Sequence, residues 1–210
     1  MEDVKAVMDG LANLRRHLSN LKKFGVPVTV ALNRFTADTD AEVTAVLEGV
    51  AGEDVAVYEC THWADGSAGA ESLARHVAST IDNSDAAFAP LYEADLPLWD
   101  KIETVAREIY GAGAVTTTEA VRTQIASFEA AGFGGLPVCM AKTPLSFSED
   151  PKILGAPEGH DLTVREVRLS AGAGFMVAIC GTILTMPGLP RVPAANNVDL
   201  NVDGQVEGLF

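Results

Sequence analysis

The chain has 210 residues, 48% of them hydrophobic and 21% charged, enough for one large or two small domains with proper cores and too apolar for a disordered chain. Fifteen Lys and Arg stand against 29 Asp and Glu, a formal net charge of −14, and no basic cluster exceeds Arg15-Arg16 or Lys22-Lys23. Binding to nucleic acid or to an anionic membrane relies on cationic surface, so neither partner is expected, and an acidic, small-molecule-handling protein is the class that remains.

Leu11, Leu14, Leu18 and Leu21 fall at helical spacing, with Arg15, Arg16 and Asn20 on the opposite side, and predict an amphipathic first helix. Lys22 and Lys23 suit its C-terminal dipole end, and Gly25 suits the position just past it. Residues 26–32 form a nearly continuous β-branched run, typical of a strand buried on both faces. Thr39 or Asp40 can cap a helix through Val43, Val46 and Leu47, ending near Gly52. A second buried strand is expected over 55–60, ending at Thr61-His62-Trp63. Ala64 to Gly69 reads as a small-residue turn, after which Leu73, Val77 and Ile81 mark the inner face of another helix. Helix, strand, helix, strand, helix at these lengths is the layered α/β pattern with a parallel sheet; an antiparallel α+β unit is the alternative.

The pattern loosens between Asn83 and Pro97. A helix is then expected over 98–110, broken by Gly111-Ala112-Gly113, and another over about 118–128, capped within Thr116 to Thr118 and stopped at Gly132. Strands follow over 137–141, 162–169, 175–179 and 182–185, and Asp203-Gly204 between Val198-Leu200-Val202 and Val206 signals a hairpin. The expected organisation is therefore an α/β domain over 1–110 followed by an α+β domain over 111–210, with the stretch around Ser84 as the alternative boundary. Arg168 to Arg191 carries no charge between its ends and is long enough to span a bilayer, but its glycines and prolines make it buried strands rather than a membrane helix.

Cys60, Cys139 and Cys180 are odd in number and lie in apolar runs, which fits reduced, buried thiols rather than a disulfide framework. The sequence MEDVKAVMDG has neither the cationic start nor the apolar core of a secretory signal, so a cytoplasmic location is expected. No metal site is expected, because Cys60 and His62 have no second pair at ligand spacing and His17, His76 and His160 stand alone. No G-x-x-x-x-G-K-[ST] phosphate loop, G-x-G-x-x-G fingerprint or G-x-S-x-G nucleophile elbow is present. Gly66-Ser67-Ala68-Gly69 could hold an anion at a helix start but lacks the lysine and spacing of a phosphate loop.

Ligands of open parallel sheets gather at the carboxyl ends of the strands. Both strands of the first half end in an aromatic residue, Phe35 after Asn33-Arg34 and Trp63 after His62. Parallel neighbours would bring the two rings to one rim, a slot for a flat heteroaromatic ligand with Asn33 and Arg34 bonding its polar edge. The alternative is that both rings simply fill core. Ser170-Ala171-Gly172-Ala173-Gly174-Phe175 is small enough for backbone to approach a ligand, which makes Gly172 and Gly174 candidates for a ligand-proximal loop, unless the turn is a plain crossover.

The runs NLRRHLSNLKKFGVPVTVALNRFTADTDAE, HWADGSAG, LPVCMAKTPLSFSEDP, VREVRLSAGAGFMVAICGTILTMPGLPRVPAA and DGQVEGLF resemble formate–tetrahydrofolate ligase, in order and across essentially the whole chain. The resemblance covers only the C-terminal part of that family. It implies ATP, formate and tetrahydrofolate as the family's substrates. The family's ATP-binding phosphate loop lies in an N-terminal domain that this chain is expected to lack. Met1 leading almost directly into a helix fits a portion of a longer chain. The residues matching Phe35 and Trp63 help to stack the folate ring in the family, which coincides with the slot read from the strand ends. The family turn after the tryptophan is often richer in glycine or base (W-A-K-G-G-E-G). Asp65, Ser67 and Ala68 depart from it here, so no phosphate or charge role is carried over. Two functions follow: a folate-binding and assembly portion of the ligase, not expected to be active alone, or a free-standing non-catalytic folate-binding or interaction module. The implied partners are folate, the N-terminal ATP-binding domain and further copies of the chain.

Overall fold

The computed structural model describes residues 2–181, 183 and 191–208. The expected strand over 182–185 therefore lies largely outside the described residues. The fold is α/β.

Helix α1 (Val4–Lys22) begins where the Asp3 side chain accepts from the Ala6 amide, and it buries Leu11 and Leu18. Gly25, just beyond, sits at φ +67°, and a Cβ there would lie 2.2 Å from the Ala87 carbonyl oxygen, so both conformation and space require glycine. Strand β1 (Thr29–Asn33) follows, then α2 (Asp40–Val50), whose cap is a reciprocal box: the Thr39 hydroxyl accepts from the Glu42 amide and the Glu42 carboxylate accepts from the Thr39 amide. Strand β2 (Ala56–Cys60) lies parallel to β1, Thr29 opposite Ala56 and Asn33 opposite Cys60. Val28, Val30, Val55 and Val57 point to one face, where they meet Leu11, Leu18 and Val50 from α1 and α2. A short α3 (His62–Asp65) and a 3-10 turn (Gly66–Ala70) replace the expected plain turn and lead into α4 (Glu71–Asn83).

The second core is larger. It is built on a four-stranded mixed sheet of β3 (Ala112–Thr117), β4 (Val138–Ala141), β5 (His160–Ser170) and β6 (Phe175–Cys180), in the order β3-β5-β6-β4. Strands β3 and β5 are parallel, β5 and β6 antiparallel, β6 and β4 parallel. Helices α5 (Leu98–Glu108) and α6 (Glu119–Phe128) bury Leu98, Ile102, Ala106, Val121 and Ile125 against Leu162, Val164, Met176 and Ala178. Lys101 is fully buried, its ammonium donating to the carbonyls of Ala94 (2.6 Å), Gly134 (2.8 Å) and Leu136 (3.1 Å), which satisfies the charge. A small hairpin, β7 (Asp199–Leu200) with β8 (Val206–Glu207), forms where the Asp203-Gly204 signal lay.

Three expectations change. Gly111-Ala112-Gly113 is the entry to β3, not merely a break between helices: a Cβ on Gly113 would lie 2.7 Å from the Gly159 carbonyl oxygen, so the glycine serves a close approach beside β5. Helix α5, on the N-terminal side of the expected division at 110/111, packs in the second core. Cys139 is exposed, whereas Cys60 and Cys180 are buried; all three thiols are free.

Candidate functional site

The pairing of β1 with β2 continues one residue past the strand, where the Arg34 amide donates to the Cys60 carbonyl (2.9 Å). The chain then turns, the Phe35 amide donating to the Asp38 carboxylate (2.8 Å), and Thr39 starts α2. At the end of β2, the Thr61 amide donates to the Gly69 carbonyl (3.1 Å) and the Thr61 hydroxyl to the Asp65 carboxylate (2.7 Å), clasping the short turn that carries Trp63. These two turns set the rings of Phe35 and Trp63 on one rim, with centroids 6.1 Å apart and planes inclined by 61°.

Both rings face solvent, Phe35 at 51% and Trp63 at 65% exposure, so neither fills a core within this chain. They meet edge to face, a favourable aromatic geometry, and leave no gap for a third ring. A flat ligand held between them needs two contacts of about 3.5 Å each, so one ring has to swing outward; alternatively, a ligand stacks on an outer face without that motion.

Arg34 does not extend toward the rings as a free donor. Its guanidinium pairs with Glu59 (2.9 Å) and with Asp40, and the hydrogen bonds to Glu59 and then Asp40 raise its pKa above the ordinary arginine value. It braces the turn between the strand ends. Asn33 is exposed at the end of β1. Gly172 and Gly174 lie in the β5–β6 hairpin, where the Gly174 amide donates to the Ser170 carbonyl (2.9 Å), and so belong to the other sheet.

A second concavity, of ≈ 580 Å³, lies between α1 and the Lys142–Phe147 loop, lined by His17, Tyr110 and Lys142 among others. Lys142 donates to the carbonyls of Thr143 (3.0 Å) and Ser146 and stands 4.8 Å from the Tyr110 ring centroid. Burial lowers its pKa and raises that of Tyr110. Nothing in the spacing of Lys142-Thr143-Pro144 tells that it folds back against α1. Nearby, both ring nitrogens of His160 are buried without a hydrogen-bond partner among the described residues. Among those residues, no group of three or more His, Cys, Asp or Glu is placed to hold a metal ion, and no helix is long and apolar enough to cross a membrane.

The architecture is that of an α/β protein whose two N-terminal parallel strands end in an exposed aromatic rim. The family model "Formate--tetrahydrofolate ligase" matches residues 1–210, and the chain belongs to that family. It is 60% identical over 205 residues to the formate–tetrahydrofolate ligase of Hyphomonas neptunium, covering 98% of this chain and 37% of that protein. The ligases of Maricaulis maris and Allorhizobium ampelinum are each 57% identical over 209 residues, covering 100% of this chain and 38% of their own length. The chain thus spans little more than a third of the relatives it matches.

Proposed function

We propose that this chain is the folate-binding and assembly portion of a formate–tetrahydrofolate ligase, and that Phe35 and Trp63 stack the pterin ring of tetrahydrofolate. The observation that carries the reading is the pair of aromatic rings, both more than half exposed, at the carboxyl ends of two parallel strands. A flat ligand stacked on such rings removes their apolar exposure, and stacking tolerates any π-face. Arg34, already engaged by two carboxylates, fixes the rim rather than contacting the ligand, while Asn33 is free to bond a polar edge. Gly172 and Gly174 take no part in this stacking site.

The reaction of the whole enzyme joins formate to N10 of tetrahydrofolate at the expense of ATP. In this reading the chain supplies the acceptor's platform, and phosphoryl transfer from ATP belongs to the portion of the ligase outside it. Released phosphate from ATP and formate is then expected at background with this chain alone. We place the division between its two units in the 84–97 segment, because Leu98 and Ile102 pack in the second core. Cytoplasmic location and homo-oligomerisation belong to the same proposal.

The test is calorimetric titration of the chain, and of its Trp63→Ala variant, with a tetrahydrofolate analogue. Trp63→Ala is expected to weaken binding by about 1–3 kcal/mol, the range for base–aromatic stacking. Unchanged affinity, with an unchanged melting curve, returns the rings to bare surface.

A further inference from the structure

We propose that the outer edge of β1, together with the apolar side of α4, is the docking surface for a β-strand supplied by the part of the ligase that lies outside this chain. The inference rests on the reading of the chain as part of a longer ligase, but not on folate stacking at Phe35 and Trp63.

Strand β1 pairs with β2 alone, and among the described residues no backbone hydrogen bond reaches its other edge. Parallel sheets are rarely stable as two strands, and a true edge strand is normally guarded by charge, a bulge or a cover. Val28-Thr29-Val30-Ala31-Leu32 has no charged residue. Its composition is that of a central strand, yet the fold leaves one side bare.

Chain handedness says which edge awaits a neighbour. Helix α2, linking β1 to β2, packs with α1 on the valine face of the sheet. Helix α4 lies on the opposite face, where the His76 Nε2 is 3.0 Å from the Thr29 hydroxyl and the ring is 4.8 Å from that of Tyr58. A right-handed crossover through a helix on that face leads past β2 to the free side of β1. This chain does not use the place. After α4 it forms two backbone bonds, Ala87 to Gly25 and Ala89 to Phe24 (both 3.1 Å), ahead of β1, and then departs for α5.

The empty place has the right surface. A groove of ≈ 480 Å³ runs between α4 and β1, lined by Pro27, Thr29, Val77, Thr80, Ile81 and Ala86. The face of α4 that its sequence marks for burial is unburied: Val77 is 40% and Ile81 74% exposed. The matched relatives keep well over half of their length outside the aligned region, ample chain to furnish a strand.

The experiment compares the 210-residue chain with a chimaera in which it replaces the matching region of the Hyphomonas neptunium ligase. The outward amides of β1 are expected to exchange freely in the chain alone and at least ~100-fold more slowly in the chimaera. Ile81→Lys is expected to leave the melting temperature of the chain unchanged and to lower that of the chimaera. Equal exchange in both, or protected β1 amides in a monomer of the chain, overturns the proposal. So does a dimer of the chain that protects β1 and dissociates with Ile81→Lys, which assigns the edge to a second copy. Should the chimaera not fold, the native Hyphomonas ligase and its excised matching region give the same comparison. Formation of 10-formyltetrahydrofolate by a chimaera with freely exchanging β1 sinks the docking edge alone. A folded, β1-protected but inactive chimaera sinks the ligase reading alone.

Discussion

The two cores of this chain are unequal in a way that separates stability from recognition. Among the described residues, the cluster under β1 and β2 has three buried residues, whereas the cluster around the four-stranded sheet has fourteen. The larger core is covered by α5 and α6 and closed by mixed strand pairing; the smaller is covered on one face by α1 and α2 and leaves α4 without a buried residue. The exposed aromatic rim sits on the smaller one. Surface left open for contact cannot also form a closed core, so the unit that carries the exposed rim is the one with the thinner interior.

Lys101→Ala gives a large expected loss on the well-packed side. It leaves three part-buried carbonyls without their donor, at up to about 1 kcal/mol each, and denaturant unfolding followed by circular dichroism reads the loss. A loss below the cost of one such bond would show that water replaces the ammonium and that the second core is looser than its burial implies. Ile102→Ala, fully buried, is expected to cost about 2–5 kcal/mol, while Ile81→Ala, 74% exposed, stays within about 0.5 kcal/mol. Equal losses at the two isoleucines would break the comparison outright.

A smaller effect sharpens it through pH. Burial, helped by the charges of Lys142 and Arg16, holds the His160 imidazole below its ordinary pKa. As pH falls through about 6.5, the ordinary histidine value, the unfolded chain takes up a proton that the folded chain still refuses. Unfolding therefore consumes protons, and stability is lost as pH falls from there toward the lowered folded value. Melting curves at pH 7.5 and 5.5 are expected to show this loss, and His160→Gln to flatten it; an unchanged slope in the variant assigns the acid sensitivity elsewhere.

Much of the fold was legible because it is written in local pattern. The leucines of α1, a cap at Thr39 or Asp40, the β-branched run of β1 and the Asp203-Gly204 turn each specify their element through spacing or backbone preference alone. β3 escaped that kind of reading. Its first half, Ala112-Gly113-Ala114, has neither apolar period nor branched side chains, its glycine is explained only by Gly159, distant in sequence and adjacent in space, and its threonines double as a cap signal for the next helix. The packing of α5 is hidden for a related reason: an amphipathic helix states that it has a buried face but not which sheet it buries it against.

The site divides in the same way. Sequence by itself determined that two β-branched runs end in aromatics, that the chain belongs with the ligase family, and that it carries no phosphate-loop motif. Only the tertiary structure decided that the rings touch edge to face, that Arg34 is claimed by Glu59 and Asp40, and that β1 stands at an edge. Residue type and spacing fix what a segment prefers locally; partners far along the chain fix which of its atoms remain free, because charge, rings and backbone donors are satisfied by whatever folding brings within reach.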